Sequence, residues 1–256
     1  MTRRTEEVAR GVHVMTSRRY VTTSTVVLAE ADALVIDPCW DADELAGVAG
    51  FLNAAGVPCA AGLATHLHYD HVLWHPDLGD SPRWSSAWAA EQWAAHRDVL
   101  VQPLIGDIPG ELVDLAGHVS GVPASGLPWA GREIALHAHD AHARGHLAVE
   151  IVDAGALLAG DMLSDVELPY PDPDEPDLTM YLEGLDRLAD VVRRSRVLVP
   201  GHGAPTYSPL ERLDADRRYL DAVLAGRPTD DPRLADPDNQ ALHARTLEQA
   251  RATRST

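Results

Sequence analysis

The stretch LATHLHYDHVLWH, residues 63–75, contains four histidines and one aspartate in thirteen positions. Within it His66, His68, Asp70 and His71 form the pattern H-x-H-x-D-H. If the backbone is extended, residues 66, 68 and 70 point to one side, and a bend at Asp70 brings His71 to the same place. Imidazole and carboxylate ligands together suit zinc, iron, manganese or cobalt better than calcium, which prefers oxygen alone. The stretch therefore predicts a transition-metal site.

Three further segments carry metal-ligand residue types, and each stands at the end of a predicted strand. They contribute His142 with His146 in DAHARGH, Asp161 in ALLAGD, and His202 in VPGHG. A single polar residue after a strand is weak evidence, and a chain with 13 histidines will cluster some of them by chance. Four such segments in one chain favour a shared metal site over a chance cluster of surface histidines.

In this order the motifs H-x-H-x-D-H, H-x-x-G-H, G-D and G-H-G resemble the metallo-β-lactamase superfamily, over about residues 8–210. The resemblance implies an α/β (α+β) fold, a four-layer αββα sandwich with an internal two-fold repeat. It also implies two divalent metal ions, which we expect to be zinc, with iron or manganese as alternatives. The implied ligands are His66, His68 and His142 for the first ion, Asp70, His71 and His202 for the second, and Asp161 between the two.

Neighbouring residues compete for these roles. His139 alternates with the preceding strand residues, but His142 is the implied ligand because only it stands four residues before His146 in H-x-x-G-H. The resemblance also gives Asp37 and His146 supporting roles, in which a residue outside the metal shell orients a ligand imidazole. Four tryptophans between residues 74 and 93 are interpreted as core residues, with a wall of the substrate cleft as the alternative.

The predicted elements place the metal motifs at the ends of strands. Strands are predicted around residues 10–17, 24–30, 33–38, 58–64, 132–138, 147–153, 156–160 and 196–200, and helices around 41–56, 84–98, 178–194, 208–225 and 239–253. Four prolines interrupt residues 99–131, which are predicted to be an irregular insertion. The length favours a single domain over residues 1–256, with a helical C-terminal tail from about residue 208.

Composition excludes several classes of partner and chemistry. The formal net charge of −18 opposes binding to nucleic acid or to anionic membranes. The sequence has no lysine, so all 21 basic side chains are arginines and lysine Schiff-base chemistry is excluded. No segment is typical of a signal peptide or a membrane span, which predicts a cytoplasmic protein. The expected partner is a small-molecule substrate, and the sequence leaves homo-oligomerisation open.

The expected function is hydrolysis of a small carbonyl substrate, which can be an ester, a lactone, a thioester or a β-lactam. Two metal ions lower the pKa of a bridging water and so supply hydroxide as the nucleophile. Asp70 is the candidate catalytic residue that orients the hydroxide and passes its proton to the leaving group. The alternatives are an oxidoreductase with a single iron, as in persulfide dioxygenases, and a non-catalytic member of the fold.

Overall fold

In the part of the chain that the structure describes, the larger of two β-sheets has seven strands and is built from the first half of the chain. The computed structural model describes residues 4–171 and 177–254. The strands of this sheet follow one another in chain order and are β1 (Arg4–Ala9), β2 (Val12–Thr16), β3 (Thr23–Leu28), β4 (Ala33–Ile36), β5 (Cys59–Leu63), β6 (Arg83–Ser85) and β7 (Ser120–Gly121). Neighbouring strands are antiparallel from β1 to β4 and parallel from β4 to β7.

The second sheet has four strands in the order β11-β10-β9-β8. Its strands are β8 (Ile134–His139), β9 (His146–Ile151), β10 (Ala156–Gly160) and β11 (Val197–Pro200). Strand β10 pairs antiparallel with β9 and parallel with β11, so the ends of β10 and β11 lie side by side. Asp161 directly follows the first of these strands, and His202 lies just beyond the second.

A shared apolar core joins the two sheets. Alternating residues of the first sheet, such as Val12, Val27 and Leu63, pack against Val149 and Leu158 of the second sheet. All six residues of β9 are buried, because the other face of its sheet is also covered. Two sheets packed through their inner faces form the sandwich that the sequence predicts.

Helices cover both outer faces of the sandwich. They are α1 (Ala42–Ala55), α2 (Ala87–Leu100), α3 (Gly110–Val113), α4 (Leu178–Arg194), α5 (Pro209–Leu224) and α6 (Pro237–Arg254). Val48 and Leu52 of α1 pack on the first sheet. Leu188 of α4 and Leu220 of α5 pack on the second sheet. The layer order αββα confirms the predicted fold class.

The region around Trp84 differs from its prediction. Trp84 lies in β6 and pairs with Leu63 of β5, so the prediction that it belongs to the helix over residues 84–98 is wrong. The helix begins only at Ala87, because the hydroxyl of Ser86 caps it by accepting a hydrogen bond from the Ala89 amide. Parallel pairing with β5 outweighs the helical pattern at Trp84.

Two further differences concern short or polar elements. The predicted irregular insertion at residues 99–131 contains α3, a 3₁₀ turn and β7, which completes the edge of the first sheet. Strand β1 is not predicted, because its sequence RTEEVA is mostly polar and shows no apolar alternation. Among the described residues no helix is both long and apolar enough to cross a membrane. The single domain over residues 1–256 stays a prediction.

Candidate metal centre

The loop after β5 carries four of the predicted ligands and is held by Asp37 at the end of β4. The Asp37 carboxylate accepts hydrogen bonds from the Thr65 amide and the Thr65 hydroxyl, both at 2.7 Å. Its Oδ2 also lies 3.0 Å from Nδ1 of His71. Asp37 thus contacts both ends of the segment 65–71, which matches the supporting role that the resemblance implies for it.

Four of the predicted ligands form one group: His66, His68, His142 and Asp161. His68 Nδ1 lies 2.9 Å from His66 Nε2 and 3.2 Å from His142 Nε2. Asp161 Oδ2 lies 3.4 Å from His66 Nε2 and 3.5 Å from His142 Nε2. Donors about 2.0–2.1 Å from a tetrahedral zinc ion stand about 3.3 Å apart, so these spacings suit such an ion.

Asp70, His71 and His202 form a second group beside the first. Asp70 Oδ2 lies 3.4 Å from His71 Nε2 and 3.3 Å from His202 Nε2. The Asp161 carboxylate reaches this group as well, with Oδ1 3.2 Å from His71 Nε2 and Oδ2 3.4 Å from His202 Nε2. The structure therefore brings all seven predicted side chains together, with Asp161 between the two groups.

The second ring nitrogen of several of these histidines has a partner that determines its tautomer. Nδ1 of His142 lies 2.9 Å from the Tyr170 carbonyl oxygen, and Nδ1 of His202 lies 3.0 Å from the Tyr20 carbonyl oxygen. A carbonyl oxygen can only accept, so each Nδ1 carries a proton when the ring is neutral. Nε2 is then free to act as a metal ligand.

The protonation states of the clustered side chains also suit the binding of a cation. Burial lowers the pKa of His66 well below its usual value and that of His142 to about 4, so both rings are neutral at neutral pH. Burial also acts to lower the pKa of His71 and His202, but Asp161 and other carboxylates outweigh it and raise both well above the usual value. Protons on these two rings thus balance the carboxylates, and a metal ion would displace them.

Two buried polar atoms at the centre lack a well-aligned hydrogen-bond partner. Among the described residues, the buried atoms His71 Nε2 and Asp161 Oδ1 lie 3.2 Å apart but make no well-aligned hydrogen bond with each other or with another group. A buried polar atom left in this way costs about 1–3 kcal/mol, and ligation to a cation would remove that cost. The donor types, spacings and unmet atoms together fit two divalent ions.

Behind the first group, three imidazole rings form a buried stack. The His146 ring lies between those of His66 and His139, with centroids 4.8 Å and 4.6 Å away and an interplanar angle of 23° in both cases. His146 Nε2 accepts a hydrogen bond from the Asp161 amide. His146 therefore supports two predicted ligands, whereas His139 lies one ring further back, outside both groups.

Glu167 is the carboxylate at the centre that the sequence does not reveal. Its Oε1 lies 3.6 Å from His202 Nδ1, and with His202 and Asp161 it forms a third group able to hold a metal. Burial raises the pKa of this carboxyl to about 7. It lies in an irregular loop six residues after Asp161, and no motif spacing marks it. His75 lies outside these groups and caps a 3₁₀ turn by accepting a hydrogen bond from the Asp77 amide.

The tryptophans serve mainly as packing residues. Trp74 and Trp93 are buried, and the Trp93 indole donates to the Leu67 carbonyl oxygen at 2.8 Å. Trp88 is half-buried, and its ring lies against the Arg144 guanidinium. None of the described residues that line the cavity next to His142 and Asp161 is a tryptophan. The core interpretation therefore holds for Trp74 and Trp93.

Replacing Asp37 by asparagine should weaken metal binding by about 10–100-fold, the usual effect of losing a residue that orients a metal ligand. The amide keeps the size of the side chain but removes the charge beside His71. Competition with a chelator of known affinity, followed by elemental analysis, measures the change. Asp32→Asn, which removes a carboxylate far from the cluster at the Trp129 indole, is the control. Equal affinities of the two variants would contradict the supporting role.

Comparison with known proteins agrees with the fold and the motifs. The sequence profile of the metallo-beta-lactamase superfamily matches residues 18–226, and the chain belongs to this superfamily. Comparison with curated protein sequences found no significant match.

Solved structures with this fold include three that cover most of the chain. A metallo-beta-lactamase from Pontibacter korlensis is 16% identical with a TM-score of 0.63 and covers 86% of this chain and 99% of its own. A metallo beta lactamase from Hirschia baltica is 16% identical with a TM-score of 0.63 and covers 90% and 100%. A beta-lactamase domain protein from Burkholderia ambifaria is 18% identical with a TM-score of 0.67 and covers 88% and 79%. At these identities the similarity establishes the fold alone.

Proposed function

We propose that the protein is a dinuclear metal-dependent hydrolase that cleaves a small carbonyl substrate, such as an ester, lactone, thioester or β-lactam. The observation that carries the proposal is the meeting of two donor groups at Asp161. Two divalent ions, which we propose to be zinc, would supply a hydroxide nucleophile near neutral pH and polarise the substrate carbonyl. The remaining steps belong to side chains of this chain.

Asp70 is proposed to move the proton. Its Oδ2 lies beside His71 and His202, and neighbouring histidines hold its pKa well below the usual value despite the opposing effect of burial. As a buried carboxylate it can orient the nucleophile by accepting its hydrogen bond. It can then take the proton and deliver it to the leaving atom as the bond to the carbonyl carbon breaks.

The completeness of both donor groups favours this function over the alternatives. A single-iron oxidoreductase needs fewer of the seven donors, and a binding protein without catalysis needs no pair of groups open to a cavity. That cavity has a volume of about 480 Å³ and is lined in part by His142 and Asp161, which is where a substrate carbonyl has to bind.

We expect close to two metal ions per chain after expression with sufficient metal. His142→Ala should reduce this number towards one, because the first group loses a ligand. His139→Ala is the matched control, since that ring lies behind the group and should leave both ions in place. Elemental analysis of the purified proteins gives the numbers. A single iron in the unaltered protein would contradict the dinuclear proposal, and equal loss in both variants would contradict the choice of His142.

Hydrolysis itself is tested on a panel of esters, lactones, thioesters and β-lactams with the metal-loaded protein. We expect turnover of at least one class, which disappears on removal of the metal and returns when it is restored. Parallel assays for persulfide oxidation measure oxygen consumption. Oxygen consumption without hydrolysis would favour the single-iron alternative.

A further inference from the structure

The cavity beside the metal centre has a wall that comes from the C-terminal part of the chain. Asp236, Asp238, Asn239 and Leu242 line this cavity together with His142. The superfamily profile ends at residue 226, so the wall lies outside the part of the chain that it matches. We refer to residues 231–242 as the C-terminal wall.

Arg233 and Asn239 attach the C-terminal wall to the loop after Asp161. Arg233 Nη1 donates to the carbonyl oxygens of Ser164 and Glu167, at 3.0 Å and 2.9 Å. Asn239 Nδ2 donates to the Val166 carbonyl oxygen at 2.7 Å. Both side chains are buried. The wall is therefore attached to the same loop that carries Glu167 to the metal centre.

The carboxylates that line the cavity are not balanced by any basic side chain among the described lining residues other than histidine. Asp236 and Asp238 are exposed carboxylates, and none of the described lining residues is an arginine. Arg233 does not offset them, because its guanidinium is buried against Asp216 and Asp231. The net charge of −18 adds to the negative field around the cavity. At this end of the cavity, away from the proposed metal ions, an anionic group of the substrate is repelled and a cationic one is attracted.

A further feature of the lining favours a cation. Tyr20 and Tyr170 contribute to the cavity, and tyrosine rings attract ammonium groups through their π faces. Asp161 also belongs to this lining and marks the end of the cavity nearest the candidate metal centre. The cavity thus extends from the candidate metal centre to the carboxylates of Asp236 and Asp238.

We propose that the C-terminal wall selects the substrate by charge. Carbonyl compounds with an ammonium group are cleaved best, uncharged ones less well, and those with a carboxylate least. This inference rests on the proposed hydrolase function. It identifies Asp236 and Asp238 as specificity residues and points to a cationic ester or related acyl compound as the substrate class.

The test uses three phenyl esters with acyl chains of equal length that end in trimethylammonium, tert-butyl or carboxylate. The ammonium and tert-butyl groups have the same shape, so their comparison isolates charge. We expect kcat/KM to fall in the order given, after subtraction of the rate without protein. Each exposed charge contributes about two- to fivefold. In Asp236→Asn/Asp238→Asn the differences among the esters should become smaller by about that factor for each carboxylate removed.

The control is Asp98→Asn/Asp221→Asn, which makes the same change in net charge at exposed helix positions away from the cavity. It should keep the full preference. Equal rates for the three esters, or equal effects of the two double variants, would overturn selection by the wall while leaving the hydrolase function intact.

A second measurement separates the two proposals. Calorimetry with the corresponding anilides, which are much less reactive than the esters, gives affinities without turnover. Tighter binding of the ammonium anilide, reduced in Asp236→Asn/Asp238→Asn, supports the charged wall even if no ester is cleaved and the hydrolase proposal fails. Equal affinity for all three anilides overturns the wall.

Discussion

Replacing Asp70 by asparagine should lower kcat by about 10²-fold or more, the usual effect of removing a positioned acid or base. Asparagine keeps the size of the side chain and one oxygen that can bind metal, but it cannot accept the proton. The Asp70 carboxylate faces His71 and His202 through Oδ2. The measurement is turnover at saturating metal, with the metal content of the same sample determined.

Metal loss could cause the same fall, so a second comparison is needed. Two substrates with the same acyl group and leaving groups of different pKa distinguish the two causes. If Asp70 delivers the proton, the defect is larger for the poorer leaving group, which depends more on protonation as the bond breaks. A fully metallated variant that retains near-normal turnover on both substrates would rule out a catalytic role for Asp70.

Replacing Arg233 by methionine should lower the free energy of unfolding by about 3–5 kcal/mol, the usual cost of breaking a buried ion pair. Arg233 Nη1 donates to Asp216 Oδ1 at 2.6 Å, and Asp216 is almost fully buried. The other Asp216 oxygen accepts from the Leu163 amide, where the backbone has a positive φ of 60°. The pair therefore holds the backbone two residues beyond Asp161. Chemical denaturation at neutral pH measures the change.

The loss of stability should depend on pH in a definite direction. Burial already raises the pKa of Asp216 to about 6 while Arg233 acts to lower it, so removing the arginine raises it further. A carboxyl whose folded-state pKa exceeds its unfolded value destabilises the fold as pH rises between the two values. Arg233→Met should accordingly lose less stability at pH 5 than at pH 8.

The double variant Arg233→Met/Asp216→Leu separates charge from packing. If the uncompensated carboxylate contributes to the loss, replacing it with an apolar residue should recover part of the stability. The rest stays lost, because the Ser164 and Glu167 carbonyl oxygens and the Leu163 amide lose their partners. Arg217→Met, which removes an arginine from an ion pair at the protein surface with Asp186, is the control and should change stability by less than about 1 kcal/mol. A loss in Arg233→Met no larger than in this control would show that the buried pair does not stabilise the fold.

The types and spacing of residues in the sequence, together with its apolar strands, are sufficient to predict the donor set and the layers of the fold. His66, His68, Asp70 and His71 stand within six residues, so their convergence depends mainly on strand geometry and one bend. The other donors each follow a strand that is apolar enough to predict, and β10 and β11 then end side by side. Their residue types and spacings together favour metal ligation, since imidazole and carboxylate ligands suit transition-metal ions.

Only the tertiary structure decides which other residues face this centre. Glu167 reaches His202 because Arg233, 66 residues further along the chain, hydrogen-bonds its carbonyl oxygen. Asp236 and Asp238 reach the cavity through the same attachment. Trp84 becomes a strand residue because β5 is there to pair with it. Contacts between distant parts of the chain produce no repeating pattern in the sequence. Each of the two residues in such a contact, taken alone, is compatible with many environments. For that reason the donor side chains that the structure brings together were predictable, whereas the wall that we propose selects the substrate was not.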